Sequence, residues 1–224
     1  MNFYKNVLLR SVIASGLCMC GFIVIAILIG EHRITSFDTQ ITKGMGSVES
    51  ASLTKVMIFF TMIGSGWPVA IITLGIVALL TYLGHRKELI VFVSIIVGSA
   101  LFNSVLKLLF HRARPIVHRL IEANGFSFPS GHSMSAFTLY GLTTFFLWKH
   151  VQGPVSRALM IITGTALVLL IGASRIYLGV HYPSDVIGGY LASGAWLLIT
   201  IAVYQHFLEE RWESEQRSKR LAHG

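Results

Sequence analysis

The chain has 224 residues, of which 54% are hydrophobic and 12% are charged, and its formal net charge is +8. A soluble domain of this length carries about twice that share of charged residues. The composition therefore excludes an ordinary soluble domain and predicts an all-α polytopic membrane protein. We expect its partner to be the lipid bilayer and expect no nucleic acid.

The first apolar segment runs from Ser11 to Gly30, about the 20 residues that a helix needs to cross a bilayer. Lys5 and Arg10 precede it, as in a signal peptide, but no A-x-A-like cleavage site follows and the segment is longer than a signal core. We therefore expect a retained first span. Residues 31–55 follow as a mixed-charge loop.

The second apolar stretch, residues 56–83, is interrupted by the sequence Gly64-Ser65-Gly66-Trp67-Pro68. Proline suits the start of a helix, and glycine loosens the turn before it. Two interpretations stay open. Either the second span begins near Pro68 and residues 51–63 form an interfacial helix, or the whole stretch is one kinked helix.

Four more spans complete the chain after a tight turn at residues 85–88. They are predicted at residues 89–110, 131–148, 158–173 and 184–207, separated by a long loop at 111–129, a basic turn at 149–157 and a short connection. Residues 209–224 form a densely charged tail, which we expect near anionic lipid. Residues 1–224 are thus predicted to form one domain with six transmembrane helices.

The orientation follows from the placement of basic residues. Ten of the 18 lysines and arginines fall on the side of the N-terminus and five on the other, with three set aside as site candidates. This excess predicts that both termini are cytoplasmic in a protein of the cell membrane.

Three short sequence motifs, called strings below, place cations, histidines and a carboxylate at the ends of these spans. They are Lys107-x6-Arg114-Pro115, Pro129-Ser130-Gly131-His132, and Ser174-Arg175-x5-His181-x3-Asp185. In the predicted topology, all of them lie at the extracytoplasmic ends of helices 3–6. We therefore expect one site that contains three cations, two histidines and one carboxylate.

The three cations of the strings are Lys107, Arg114 and Arg175. A charge at the centre of a span costs about 2.5–3.5 kcal/mol, and less near its end. Alone, Lys107 is explained as well by a side chain that snorkels to the surface. Pro115 disfavours helix at Arg114, so we expect this arginine to fold over the site. Three converging cations suit a phosphate group.

The second string opens a helix after a loop. Free backbone N–H groups at a helix start, with Gly131 permitting close approach, suit an anion. Ser130 as a simple N-cap is the alternative explanation. His132 stands in the first turn of an apolar span, where a histidine needs a hydrogen-bond partner or an aqueous pocket.

The third string pairs a histidine with a carboxylate. Asp185 is one of two aspartates in the chain, and the other, Asp38, lies in the first loop. A carboxylate bonded to one imidazole nitrogen of His181 would leave the other nitrogen as nucleophile, although a purely structural Asp–His bond is the alternative. Because magnesium needs several carboxylates, we expect neither a metal nor another cofactor.

In their order and spacing, these strings resemble the type 2 phosphatidic acid phosphatase superfamily, within its bacterial membrane branch of phosphatidylglycerophosphatase B-like and undecaprenyl-pyrophosphate phosphatase-like enzymes. They occupy residues 107–185, and no position departs from the pattern. The resemblance implies that His181 attacks phosphorus and becomes a phosphohistidine, that Asp185 orients it, and that His132 protonates the leaving oxygen. It also implies a phosphate-binding set: Lys107, Arg114, Ser130, Gly131 and Arg175.

The expected activity is removal of the terminal phosphate from a membrane lipid phosphate or pyrophosphate. Undecaprenyl pyrophosphate is the first choice, followed by phosphatidylglycerophosphate, phosphatidic acid and diacylglycerol pyrophosphate. One alternative is a lipid phosphotransferase, which would phosphorylate an acceptor other than water. Another is a phospholipid carrier, in which a change of His181 to alanine would leave lipid binding and movement intact.

Overall fold

The computed structural model describes residues 2–64, 66–116, 118–148 and 150–222, with side chains described from residue 8 to residue 206 outside those gaps. Within these ranges every regular element is an α-helix. The helices are α1 (Asn2–Gly30), α2 (Thr35–Ser47), α3 (Ala51–Ile63), α4 (Gly66–Tyr82), α5 (Arg86–Phe110), α6 (Gly131–Leu147), α7 (Pro154–Tyr177) and α8 (Pro183–Ala222).

Four helical segments are long and apolar enough to cross a membrane. They are Leu8–Gly30, Arg86–Phe110, Pro154–Tyr177 and Pro183–His206. Helices α3 and α4 together make up to a fifth span, bent by 45° where they meet. The all-helical membrane class is thus confirmed for the described residues, with four to five candidate spans.

The first loop of the prediction is wrong, because residues 31–55 contain α2 and the start of α3. Helix α2 has few apolar residues, and its one buried residue is the charged Asp38. Its apolar residues Phe37, Ile41 and Met45 nevertheless recur every four residues, the spacing of one helix face, so the sequence carried a helical signal that the mixed charges of the segment obscured. Burial of a charge here depends on partners elsewhere in the chain.

Several helices also extend beyond the predicted spans. Helix α5 begins at Arg86, inside the predicted turn, and α7 runs from Pro154 to Tyr177. Hydropathy marks only the apolar part of a helix, whereas its polar ends continue the same backbone hydrogen bonds. The backbone of α8 continues through the charged tail to Ala222, while the tail side chains lie outside the described residues.

The packing of α1 and α5–α8 positions the polar strings. Helix α1 packs along α8, and α6 packs against α5, α7 and α8. The loop after α5 is anchored by the fully buried Phe128, whose ring stacks on Phe22 at 5.3 Å between centroids and meets Phe110 edge-on at 5.0 Å. A Cβ on Gly188 would lie 2.3 Å from the Phe128 ring, so glycine allows α8 to approach this loop.

Candidate active site

The C-terminal ends of α5 and α7 meet the N-terminal ends of α6 and α8 at one end of the bundle. The Ser130 N–H donates to the Asp185 carbonyl at 3.0 Å, which joins the starts of α6 and α8. The N–H groups of Val180 and His181 bond the Arg175 carbonyl at 3.2 and 3.3 Å. Their side chains and backbone therefore form one cluster of the predicted site residues: Lys107, Arg114, Ser130, Gly131, His132, Arg175, His181 and Asp185.

The centre of this cluster is the buried pair His181 and Asp185. The His181 Nδ1 lies 3.4 Å from the Asp185 Oδ2, which is longer than an ideal hydrogen bond. The same carboxylate oxygen accepts a hydrogen bond from the Tyr182 N–H at 2.8 Å. Asp185 is thus held where it can orient the imidazole ring.

Arg114 defines the tautomer of His181. Its guanidinium lies 3.0 Å from the His181 Nε2 and donates to the carbonyls of Asn124, Gly125 and Val180. Because a guanidinium has only donors, Nε2 must accept, and the ring proton is on Nδ1, which lies 3.4 Å from both the Asp185 Oδ2 and the Ser127 Oγ. Nε2 therefore carries the electron pair of the ring, and this pair faces the Arg114 guanidinium.

Arg114 reaches the site from the segment that follows α5. Helix α5 ends at Phe110, where His111 adopts a left-handed conformation with φ 46°. The arginine therefore extends from an irregular segment, in line with the expectation that Pro115 disfavours helix at Arg114. Its three carbonyl partners fix its position.

Burial lowers the pKa of His181 to about 4; Asp185 opposes the shift, while Arg114 and Arg175 add to it. The neutral ring is thus the form present at neutral pH.

We expect kcat/KM to stay level as the pH falls from 7 to about 5 and to decline as His181 is protonated near pH 4. Since the unfolded chain takes up this proton near pH 6.5, the stability of the fold also decreases between about pH 6.5 and 4. A pH profile of kcat/KM, with melting temperatures at each pH, tests both; a decline in kcat/KM centred near pH 6.5 would contradict the neutral buried ring.

Arg175 is the most buried cation of the site, with 3% of its surface exposed. One terminal nitrogen donates to the Thr61 Oγ1 of α3 at 2.5 Å. Its Nε is buried and has no hydrogen-bond partner among the described residues. A buried donor without an acceptor is costly, and an anionic ligand would satisfy it.

Lys107 and the start of α6 face each other. The Lys107 ammonium donates to the Phe126 carbonyl at 3.2 Å, and a Cβ on Gly131 would come within 3.8 Å of this ammonium and 3.1 Å of the Asn103 Oδ1. A side chain at residue 131 would require the Asn103 amide to shift by a few tenths of an ångström. The Ser130 hydroxyl accepts from the Ser133 N–H at 3.4 Å, so it caps α6, which is the alternative that the sequence left open.

The second histidine of the prediction, His132, is half-buried in the first turn of α6. It lies within electrostatic range of Lys107, Arg114, Arg175 and His181. The ring thus shares its neighbourhood with the cations that could hold a phosphoryl group; an imidazolium can donate a proton there and a neutral imidazole can accept one. Its location is therefore compatible with the acid–base role that the resemblance implies.

A set of polar residues next to Asp185 was missed by the sequence prediction. Arg112 donates to the Asp185 Oδ1 at 2.6 Å and to the Asp38 Oδ2 at 2.7 Å. The Ser127 hydroxyl donates to the Asp185 Oδ2 at 2.5 Å, and the Ser184 N–H and hydroxyl donate to Asp38 at 2.9 and 2.6 Å. Two signals pointed to this set: the rarity of aspartate in the chain, and Arg112 five residues after Lys107.

Comparison with known proteins identifies the family. The PAP2 superfamily pattern matches residues 87–209, which include all three strings. Phosphatidylglycerophosphatase B of Bacillus subtilis (strain 168) is 32% identical over 171 residues, covering 75% of this chain and 84% of that protein. The undecaprenyl-diphosphatase of Sulfolobus acidocaldarius is 29% identical over 185 residues, covering 79% and 84%.

A solved structure extends the match to the fold. The first transmembrane PAP2 type phosphatidylglycerolphosphate phosphatase from Bacillus subtilis superposes with a TM-score of 0.77 at 28% identity, covering 88% of this chain and 96% of that one. The resemblance seen in the three strings is confirmed: the chain belongs to the PAP2 superfamily, a family of lipid phosphatases.

Proposed function

We propose that this enzyme removes the terminal phosphate from a membrane lipid phosphate or pyrophosphate without a metal ion, through a phosphohistidine on His181. The observation that carries the proposal is the geometry around His181: Asp185 faces Nδ1, and the Nε2 electron pair faces a group of cations. This arrangement matches an activated nucleophile oriented by a third group.

In the first half of the proposed reaction, the His181 Nε2 attacks phosphorus and the bond from phosphorus to the leaving oxygen breaks. Arg114 moves from Nε2 to a phosphoryl oxygen, and Lys107 and Arg175 stabilise the other charges. His132 enters this step as the imidazolium, which the negative charge of the bound phosphate favours, gives its proton to the leaving oxygen and becomes neutral. Asp185 stabilises the positive charge that His181 acquires, because its carboxylate faces Nδ1.

In the second half, a water molecule attacks phosphorus, and His132 accepts its proton. The N–P bond breaks, inorganic phosphate leaves, and His181 returns to its neutral form. The positive charge for both steps comes from side chains. The two aspartates near the site are each bonded to Arg112, which supports a reaction that does not use them as metal ligands.

The position of the site relative to the helices supports a lipid substrate and six spans. Helix α6 runs from the site to the turn before α7, and α7 returns from that turn to the site. Because α7 is long enough to cross a membrane and α6 joins the same two ends, we count α6 as a span; its 17 residues rise about 25 Å, somewhat less than the hydrocarbon core of about 30 Å. With the termini cytoplasmic, the site lies at the extracytoplasmic ends of α5–α8.

A groove for the hydrocarbon chain lies close to the site. It has a volume of about 250 Å³, lies between α6, α7 and α8, and is lined mainly by apolar side chains that include Phe137, Ile161 and Val168. Val168 is seven residues before Arg175, about two helical turns. A chain in this groove would hold its phosphate at the level of Arg175.

The substrate order follows from the relatives and the proposed orientation. Two relatives are named phosphatidylglycerophosphatase B and undecaprenyl-diphosphatase, and both names describe loss of a terminal phosphate. We place undecaprenyl pyrophosphate first, ahead of phosphatidylglycerophosphate, phosphatidic acid and diacylglycerol pyrophosphate, because its pyrophosphate would be available on the extracytoplasmic surface.

The test is phosphate release by the purified protein from these four lipids, with and without excess chelator. We expect release that persists in chelator and that is greatest with undecaprenyl pyrophosphate. Loss of turnover in chelator would contradict the metal-free reaction. Release equal to that of the His181→Ala variant would contradict the phosphatase proposal, and a phosphorylated acceptor in place of free phosphate would indicate a phosphotransferase.

A further inference from the structure

The contacts of Arg112 are unusual because one guanidinium bridges two carboxylates from distant parts of the chain. Asp38 of α2 is 1% exposed, Asp185 at the start of α8 is fully buried, and the Arg112 side chain is 15% exposed. The two N···O distances are 2.7 and 2.6 Å. The guanidinium also lies over the Tyr182 ring at 4.4 Å from its centroid, so it has little freedom to move.

The charges of this bridge have a consequence for His181. Arg112 alone would neutralise Asp185, and a neutralised carboxylate gives little support to a positive imidazole. Asp38 binds the other nitrogen of the same guanidinium, so Asp38, Arg112 and Asp185 together carry one net negative charge. That charge faces His181 through the Asp185 Oδ2.

A structural role for Asp38 is the competing explanation. Its Oδ1 accepts from the Ser184 N–H at 2.9 Å and its Oδ2 accepts from the Ser184 hydroxyl at 2.6 Å. A carboxylate at the first turn of α8 stabilises that helix end. This role requires an acceptor at residue 38 but no particular charge on Arg112, and the two explanations therefore differ in what they predict for Arg112.

We infer that Asp38 and Arg112 are positioning residues for the His181–Asp185 pair, in which Asp38 takes up part of the Arg112 charge so that Asp185 remains an effective anion. This inference rests on the proposed function, since it assumes that His181 becomes positively charged when it binds phosphorus. Asp38 acts through Arg112 and Asp185 and does not touch the reacting atoms. The helix α2 is thereby connected to the nucleophile.

The test compares Asp38→Asn with the double variant Asp38→Asn/Arg112→Gln. The single variant leaves the whole Arg112 charge on Asp185, and we expect kcat to fall by about ten- to a hundredfold with KM changed less than about twofold. The double variant removes both charges and returns the net charge beside His181 to its original value. We expect it to regain about tenfold in kcat relative to the single variant.

Glu49→Gln is the matched control. Glu49 is an exposed carboxylate that pairs with His118 at 2.5 Å, so its change removes the same charge from outside the bridge of Asp38, Arg112 and Asp185. Its kcat is expected to stay within about twofold of the original. A melting temperature for every variant in detergent separates loss of fold from loss of activity.

A second measurement does not depend on turnover. Nuclear magnetic resonance of the imidazole of His181, assigned by difference from His181→Ala, reports the hydrogen bond from Nδ1 to Asp185. We expect the Nδ1 proton to move upfield in Asp38→Asn, because a neutralised carboxylate is a weaker acceptor, and to return in the double variant. If the protein released no phosphate from any lipid, the proposed function would fail, and this measurement would still decide the inference.

The outcomes separate the two explanations of Asp38. Recovery of kcat and of the His181 signal in the double variant supports the positioning pair. A double variant no better than Asp38→Asn, or an unchanged His181 signal in Asp38→Asn, overturns it. If Asp38→Asn alone does not fold, the double variant decides: a folded protein with kcat within about tenfold of the original supports the inference, and a folded inactive one overturns it.

Discussion

Replacing His181 by alanine is expected to lower phosphate release by about 10,000-fold or more, because the reaction loses its nucleophile. His181 is buried beside Asp185, and its Nε2 lies among the cations of the site. The measurement is the rate of phosphate release together with trapping of the intermediate. With substrate labelled in its terminal phosphate, rapid denaturation should leave label on the original protein as an acid-labile phosphoramidate, and none on His181→Ala.

His118→Ala is the matched control for this prediction. His118 lies in the same loop region near the site, but its side chain is 64% exposed and its ring pairs with Glu49. We expect its activity to stay within about twofold of the original. Label that persists on the His181→Ala protein would show that another group forms the covalent bond, and the assignment of His181 as nucleophile would have to be abandoned.

Replacing Arg175 by glutamine is expected to lower kcat by about 100- to 1,000-fold, the usual effect of removing one preorganised stabiliser of transition-state charge. Arg175 is nearly fully buried, and its Nε has no acceptor among the residues that the structure describes. The transferring phosphoryl group would supply that acceptor. Because the variant removes a buried charge that has no carboxylate partner in the described part of the chain, its melting temperature should not decrease.

The control for Arg175 is on the same helix. Arg157 lies near the other end of α7, where its guanidinium stacks over Trp148 at 4.6 Å from the ring centroid. Arg157→Gln removes the same charge from α7 and should leave kcat within about twofold of the original. Equal losses in the two variants would mean that Arg175 affects the fold or the insertion of α7 and not the phosphoryl group.

Much of the architecture was predictable because the relevant information is local. Apolar runs such as Ser11–Gly30 follow from the length that a helix needs in a bilayer, and the structure confirms the helical class. The three strings likewise identified residues that the structure brings to one end of the bundle. Spacing within each string, and a single crossing per span, were enough to predict their proximity.

The alternatives that remained open from the sequence depend on geometry. Ser130 was predicted either to bind an anion or to cap α6, and the distance from its hydroxyl to the Ser133 N–H shows that it caps. The tautomer of His181 could not be read from its spacing to Asp185. It follows from the 3.0 Å contact of Nε2 with Arg114, which depends on how the loop after α5 folds.

Amino-acid sequence alone thus determined the membrane class, the family and the set of polar residues that meet at one end of the bundle, because hydropathy and short motifs are properties of neighbouring residues. Only the tertiary structure decided that Asp38 belongs with Asp185, since these residues are 147 positions apart and meet through Arg112. The physical reason is that a buried charge is stable only beside its partners. The position of those partners is a property of the folded chain.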